Sequence, residues 1–264
     1  MVPAGSLVMM ALNAVLGIAL PVVLAWWLVK KYKVNIRTIL IGAAVFIVFA
    51  LVLETILHQI VLKGPHGEAI MGNIWYYALY GGLAAGVFEE TGRFLAMKFL
   101  LKNEPKEAPT AVAYGVGHGG AEMLIIFALT MISNLALSAM INGGQADTIL
   151  SAAPAEARAQ VEAQFNQLET ASAGAYLLGL WERVSALILQ LGLSVLVWTA
   201  VRKGGKWLWL FPAAILLHFL VDGAAVILAK SVSTAVVEII IFCCATAVGA
   251  IGFMLAKKLT PEQL

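Results

Sequence analysis

Phe88-Glu89-Glu90-Thr91-Gly92-Arg93 and, beyond a short charged turn, Gly117-His118-Gly119-Gly120-Ala121-Glu122 both lie inside long apolar runs. The reading of this stretch decides the fold. Two adjacent carboxyls, a guanidinium, an imidazole and a third carboxyl stand where a lipid-facing helix does not tolerate them. An ionisable group at the bilayer centre costs at least ~2.5 kcal/mol on insertion scales, so it normally faces a polar cavity and has a function there. Five such groups on two neighbouring spans call for a common explanation.

The whole chain supports the membrane reading. Of 264 residues, 61% are hydrophobic and only 12% charged, and the mean hydropathy is +0.91. A soluble domain of this length cannot cover its surface with so few charges. The expected class is all-α: one polytopic integral membrane domain over residues 1–264, without tandem repeats. The first apolar run is long and has no basic region before it, so it reads as a span rather than a cleaved signal. Cys243 and Cys244 are neighbours on a helix, about 100° apart, and so form no intrahelical disulfide.

A span needs roughly 20 mostly apolar residues. Seven segments qualify, at about 7–29, 38–62, 74–101, 110–141, 174–201, 207–229 and 232–256. Lys30, Lys31, Lys33 and Arg37 follow the first, and Lys98, Lys102 and Lys106 the third. Arg202, Lys203 and Lys206 follow the fifth, and Lys257 and Lys258 the seventh. The opposite side carries only Lys63, Arg158 and Lys230, while Arg93 and Arg183 lie within spans. By the positive-inside rule the protein sits in the cell membrane, N-terminus outside and C-terminus in the cytoplasm. This distribution also accounts for the net charge of +2 without a nucleic-acid partner. Trp26, Trp27, Trp75, Tyr76, Tyr77, Trp207 and Trp209 fall at span ends, where amphipathic rings gather.

The long polar connection, about 142–172, predicts a short outer amphipathic helix. It would start near Ser151, with Pro154 in its first turn and Val161, Phe165 and Leu168 on one face. An ordinary solvated loop helix fits the same pattern equally well. Small residues Gly81, Gly82, Ala85 and Gly86 precede the acidic pair, and Gly115, Gly117, Gly119 and Gly120 surround His118. Small residues let membrane helices approach closely, so the third and fourth spans are expected to touch there.

At ~1.5 Å per residue, Glu90 and His118 each lie about 12 Å from their cytoplasmic anchors, and His218 about 18 Å from Lys206. Glu122 and Asp222 lie one turn deeper than His118 and His218. Glu89 and Glu90 stand four and three residues before Arg93, so either can pair with it. His118 with Glu122, and His218 with Asp222, share helix faces at i, i+4. Two chemistries fit. The carboxylates can activate water while the imidazoles steady an oxyanion. Alternatively His118, His218 and Glu122 can hold a divalent metal, with Zn²⁺ the candidate, that acidifies bound water. Taken singly, each motif also has a plain structural reading, as an internal ion pair or an interhelical hydrogen bond; their coincidence in depth favours function. A second set, Glu54 with His58, Glu182 with Arg183, and Glu238, lies nearer the outer face. It reads as a structural ion-pair network, with Glu182 and Arg183 alternatively lining a substrate groove or water path.

At Glu89-Glu90-Thr91-Gly92-Arg93, Gly117-His118-Gly119-Gly120-Ala121-Glu122, Glu182-Arg183 and His218-Phe219-Leu220-Val221-Asp222, the chain resembles the YhfC family, classed as intramembrane metalloproteases. It is similar in motif plan to PrsW-type proteases and the CAAX-processing/Abi family. The resemblance implies hydrolysis of a membrane-embedded peptide or protein, with Glu89 or Glu90 as the water-activating base. His118, Glu122, His218 and Asp222 would complete the site. The Abi-type pattern spaces its Arg one residue later and has FxxxH where a Gly-rich stretch precedes His118 here. Glutamate-only and metal-dependent hydrolysis therefore both stay open. A proton-coupled transporter would also need intramembrane Glu, His and Arg, whereas a membrane scaffold or immunity protein would need none of them.

Overall fold

The computed structural model describes residues 1–259, and the regular elements among them are all helical. In chain order they are α1 (Ala4–Tyr32), α2 (Ile36–Leu62), α3 (Ile74–Leu95), α4 (Ala108–Asn142), α5 (Ala146–Ala152), α6 (Arg158–Thr170), α7 (Ala173–Lys203), α8 (Gly205–Leu228) and α9 (Thr234–Leu259). A short helical turn, Gly67–Met71, joins α2 to α3. The starts follow local chemistry. Asn35 caps α2 by accepting from the Arg37 amide, and Asn73 caps α3 by accepting from the Trp75 and Tyr76 amides. Past the end of α7 the backbone enters the left-handed region at Gly204 (φ 60°), which a side chain would resist.

Among the described residues six helices, α1, α2, α4, α7, α8 and α9, are long and apolar enough to cross a membrane, so the chain is a multi-span membrane protein. The remaining expected span, α3, is not one of these six. Its 22 residues would reach about 33 Å, but Glu89, Glu90 and Arg93 and the opening Trp75-Tyr76-Tyr77 lower its hydropathy. Its faces are nevertheless inverted relative to a soluble helix. Trp75, Leu79, Leu83 and Val87, spaced four apart, are exposed, while Gly82, Gly86, Glu89, Glu90 and Arg93 are buried.

The connection after α4 differs from its expected form. Ser151 belongs to α5, Pro154 lies between two helices, and the second begins at Arg158. Pro154 disfavours helix in the residue before it, and Ala153 is extended accordingly. Phe165 and Leu168 of α6 are buried as the pattern required.

The chain divides into two compact units, with boundaries falling inside three helices, after Leu20, after Glu122 and after Arg183. The smaller unit, residues 1–20 and 123–183, is cored by Met10, Ala14, Phe127, Met131, Phe165 and Leu168. The larger comprises residues 21–122 and the chain from 184 on, with a core of Met97, Leu101, Tyr114, Leu193, Leu196 and Trp198. Within it α3 packs along α8, and α2 along the first half of α4. The small residues make these approaches, but not between the helices expected. A Cβ on Gly82 or Gly86 would meet backbone oxygens of Phe219 and Ile215 on α8, both at 2.8 Å. Gly117 abuts Ile39 of α2, while Gly115 and Gly119 abut Ser194 and Gln190 of α7. The glycines thus turn α3 and α4 toward separate partners. Polar side chains link them instead.

Candidate active site

Helices α3, α4, α7 and α8 of the larger unit converge on one buried polar network. Glu90 and Arg93 are both 0% exposed, and Arg93 Nη1 stands 3.0 and 3.1 Å from the two Glu90 oxygens. Nδ1 of His218 donates to Glu90 Oε1 at 2.9 Å, and its Nε2 lies 3.5 Å from Asp222 Oδ2. Thus Glu90 accepts from a guanidinium three residues on and from an imidazole on another helix. Charge-assisted contacts of this kind let a buried charge persist.

Glu89 is held differently. The Nε2–H of His118 donates to its Oε2 at 2.8 Å, and Gln190 Nε2 donates to the same oxygen at 2.9 Å. Its Oε1 accepts no hydrogen bond from a described residue, and the side chain keeps 9% exposure. His118 is fully buried, edge-on to Phe46 and stacked with Tyr114, and its Nδ1 accepts no hydrogen bond among the described residues.

Gln190 ties the two halves together. Its Oε1 accepts from Arg93 Nη2, while its Nε2 donates to Glu89 and, at 3.2 Å, to Glu122 Oε2. Sequence reasoning missed it. The available signal was a lone amide in the apolar run Leu187-Ile188-Leu189-Gln190-Leu191. Of the expected residues, Glu89, Glu90, Arg93, His118, Glu122, His218 and Asp222 all join this network. Asp222 is its most open member, at 39% side-chain exposure.

Within the larger unit, His58 lies 3.3 Å from Glu54, and its Nδ1 accepts from Tyr80 OH at 2.8 Å. Glu182 and Arg183 belong to the smaller unit, where Arg183 donates to Glu182. Three π-helical stretches adjoin site residues: Ile47–Glu54 ends on Glu54, Met123–Ala128 begins after Glu122, and Ala96–Leu100 follows α3. Such widened turns recur at functional sites.

A model of the YhfC intramembrane metalloprotease family matches residues 16–241, most of the chain and every helix of this network. The chain belongs to that family. It is also 36% identical over 245 residues, covering 91% of its length and 93% of the relative's, to the uncharacterized membrane protein YhfC of Bacillus subtilis strain 168. No solved structure matches the chain.

The YhfC family's description implies a metal. Among the described residues, no three His, Cys, Asp or Glu side chains are gathered so that they could hold one. The nitrogens of His118 and His218 that meet the cluster already donate to Glu89 and Glu90. His118, His218 and Glu122, the expected ligands, join the network but form no such group. The side chains as arranged do not fit a metal ion.

Proposed function

We propose that this YhfC-family chain is an intramembrane endopeptidase of the glutamate type, with Glu89 as general base. The reading includes α3 as a seventh span, α6 as an outer amphipathic helix, and the N-terminus outside with the C-terminus in the cytoplasm. The apolar outward stripe of α3 supports the span, because that face would otherwise meet water. The buried Phe165 and Leu168 support the helix, and the Lys/Arg distribution supports the orientation.

The observation that carries the catalytic reading is the unequal holding of the two adjacent acids. Glu90 is engaged on both oxygens, whereas Glu89 has one oxygen held by His118 and Gln190 and the other without a donor among the described residues. A carboxylate fixed through one oxygen can take a proton on the other. Glu89 Oε1 removes a proton from water, and the water oxygen attacks the carbonyl carbon of the scissile peptide. The carbonyl π pair moves onto its oxygen. His218 Nε2, loosely placed against Asp222, steadies that oxyanion. The proton passes from Glu89 to the amide nitrogen, the C–N bond breaks, and an acid and an amine leave. Arg93 and Glu90 form the rigid floor on which Gln190 and His218 are set. The substrate is a membrane-embedded or membrane-adjacent polypeptide. Because the side chains do not fit a metal, no step runs through one.

The test is quantitative terminal proteomics of membranes from cells expressing the wild type or Glu89→Gln. Membrane-protein fragments present with the wild type should be absent with the variant, a loss of about 10²-fold or more. Identical fragment sets would remove Glu89 as base. Proteoliposomes that show substrate-driven proton uptake without cleavage would move the reading to a transporter. Cleavage should persist in a zinc chelator, with metal stoichiometry near zero on the purified protein. Loss of cleavage restored by Zn²⁺ would replace the metal-free step.

A further inference from the structure

The unit formed by residues 1–20 and 123–183 contains a separate cavity of about 690 Å³, within the size range of sites that take organic ligands, whose wall mixes apolar side chains such as Phe127, Met131 and Leu168 with polar ones. It is lined by Thr130 and Asn134 on α4, Gln160, Gln164 and Gln167 on α6, and Glu182 on α7. Asn13 of α1 lines it too. The Asn13 side chain is fully buried and its Nδ2 donates to the Tyr176 carbonyl at 2.8 Å, but its Oδ1 accepts no hydrogen bond among the described residues. A buried carbonyl oxygen left without a donor is rare and costly, so in a cavity wall it marks a place for a ligand N–H or O–H.

The lining restricts what that ligand can be. No Lys, Arg or His lines the cavity, and its one carboxylate, Glu182, already accepts from Arg183. A phosphate or other anion would find no counter-charge. Side-chain amides donate and accept at once, which suits a neutral ligand that alternates donors and acceptors. Gln160, Gln164 and Gln167 follow one side of α6. A polypeptide backbone is a ligand of that kind, with an N–H donor and a C=O acceptor at each non-proline residue.

We propose that this cavity binds an extended segment of the polypeptide substrate through its backbone. Asn13 Oδ1 accepts from one of its amide N–H groups, and the α6 glutamines pair along its edge. This assignment rests on the reading of the chain as a protease and names how its substrate is recognised. Recognition through backbone groups selects unfolded, extended stretches over particular side chains.

The test uses the full-length protein in lipid nanodiscs and a fluorescent acetyl-(Ala-Ser)₄-amide peptide, followed by anisotropy. Saturable binding is expected, weakened at least tenfold by Gln160→Ala combined with Gln164→Ala, and weakened similarly when alternate peptide nitrogens are methylated. Asn13→Ala should weaken it as well. The glutamines are exposed, so their variants keep the test valid if the buried Asn13 variant does not fold. No saturable binding, equal binding of the methylated peptide, or preference for a maltooligosaccharide would each overturn the proposal. Glu89→Gln protein should bind the peptide like the wild type. If that variant still cleaves while glutamine-dependent binding holds, the catalytic assignment falls and the groove stands. If cleavage needs Glu89 but the peptide ignores the glutamines, the groove falls alone.

Discussion

Glu89 and Glu90 are consecutive, yet helix geometry turns them about 100° apart into different surroundings. Glu90 meets Arg93 and His218, whereas Glu89 meets His118 and Gln190. Their substitutions should separate accordingly. Glu90→Gln removes the counter-charge of a fully buried guanidinium, so stability should fall by about 3–5 kcal/mol, seen as a lower melting temperature in detergent. Glu89→Gln keeps an oxygen for His118 and should melt close to the wild type while losing cleavage. Equal melting of the two variants would contradict the separation. Gln190→Ala leaves Arg93, Glu89 and Glu122 each short of a partner. A cost of about 1–3 kcal/mol is expected. With Glu89 as the proposed base, kcat should fall more than KM rises, because Gln190 holds Glu89 through one oxygen. A change confined to KM would place Gln190 in the substrate path instead.

Among the elements, α3 shows how polar helices are accommodated in an apolar protein. Its outward face is bulky and apolar, and its inner face is made of glycine, alanine, Glu89, Glu90 and Arg93. The glycines act as close-approach points whose partners depend on which helix lies opposite. A methyl group on Gly42 would collide with the Tyr114 carbonyl of α4, whereas one on Gly81 meets nothing within 4 Å. Gly42→Ala should therefore destabilise by about 1–3 kcal/mol, and Gly81→Ala should be neutral. Unfolding in a denaturing-detergent titration would measure both, and similar costs at the two positions would refute the packing. The small-residue runs were visible in the sequence, but their partners were not. A GxxxG-type pattern says that a helix can come close to another without saying which one.

For the whole molecule, the parity of membrane crossings is the open consequence of the α3 assignment. Seven crossings put the termini on opposite sides; six put them on the same side. A fluorescent protein fused near Asn103, in the connection after α3, should fluoresce in the cytoplasm, while alkaline phosphatase fused near Gly64, in the connection before α3, should be active outside. Both reporters responding on one side would remove α3 as a span.

Composition and the alternation of Lys and Arg were enough to reveal a helical multi-span protein and the approximate ends of its helices, because burial in lipid imposes length and charge rules on each segment separately. The acidic pair and both histidines could be found the same way, since ionisable groups within apolar runs are conspicuous one at a time. The tertiary structure alone decided how these groups pair. It put Gln190 between two acids and an arginine, left one Glu89 oxygen available while closing Glu90, and placed Glu182 beside an amide-lined cavity. Those outcomes depend on helix rotation and on which neighbours the glycines admit. A one-dimensional pattern carries the spacing of residues along a helix, but not the direction in which that helix turns its faces.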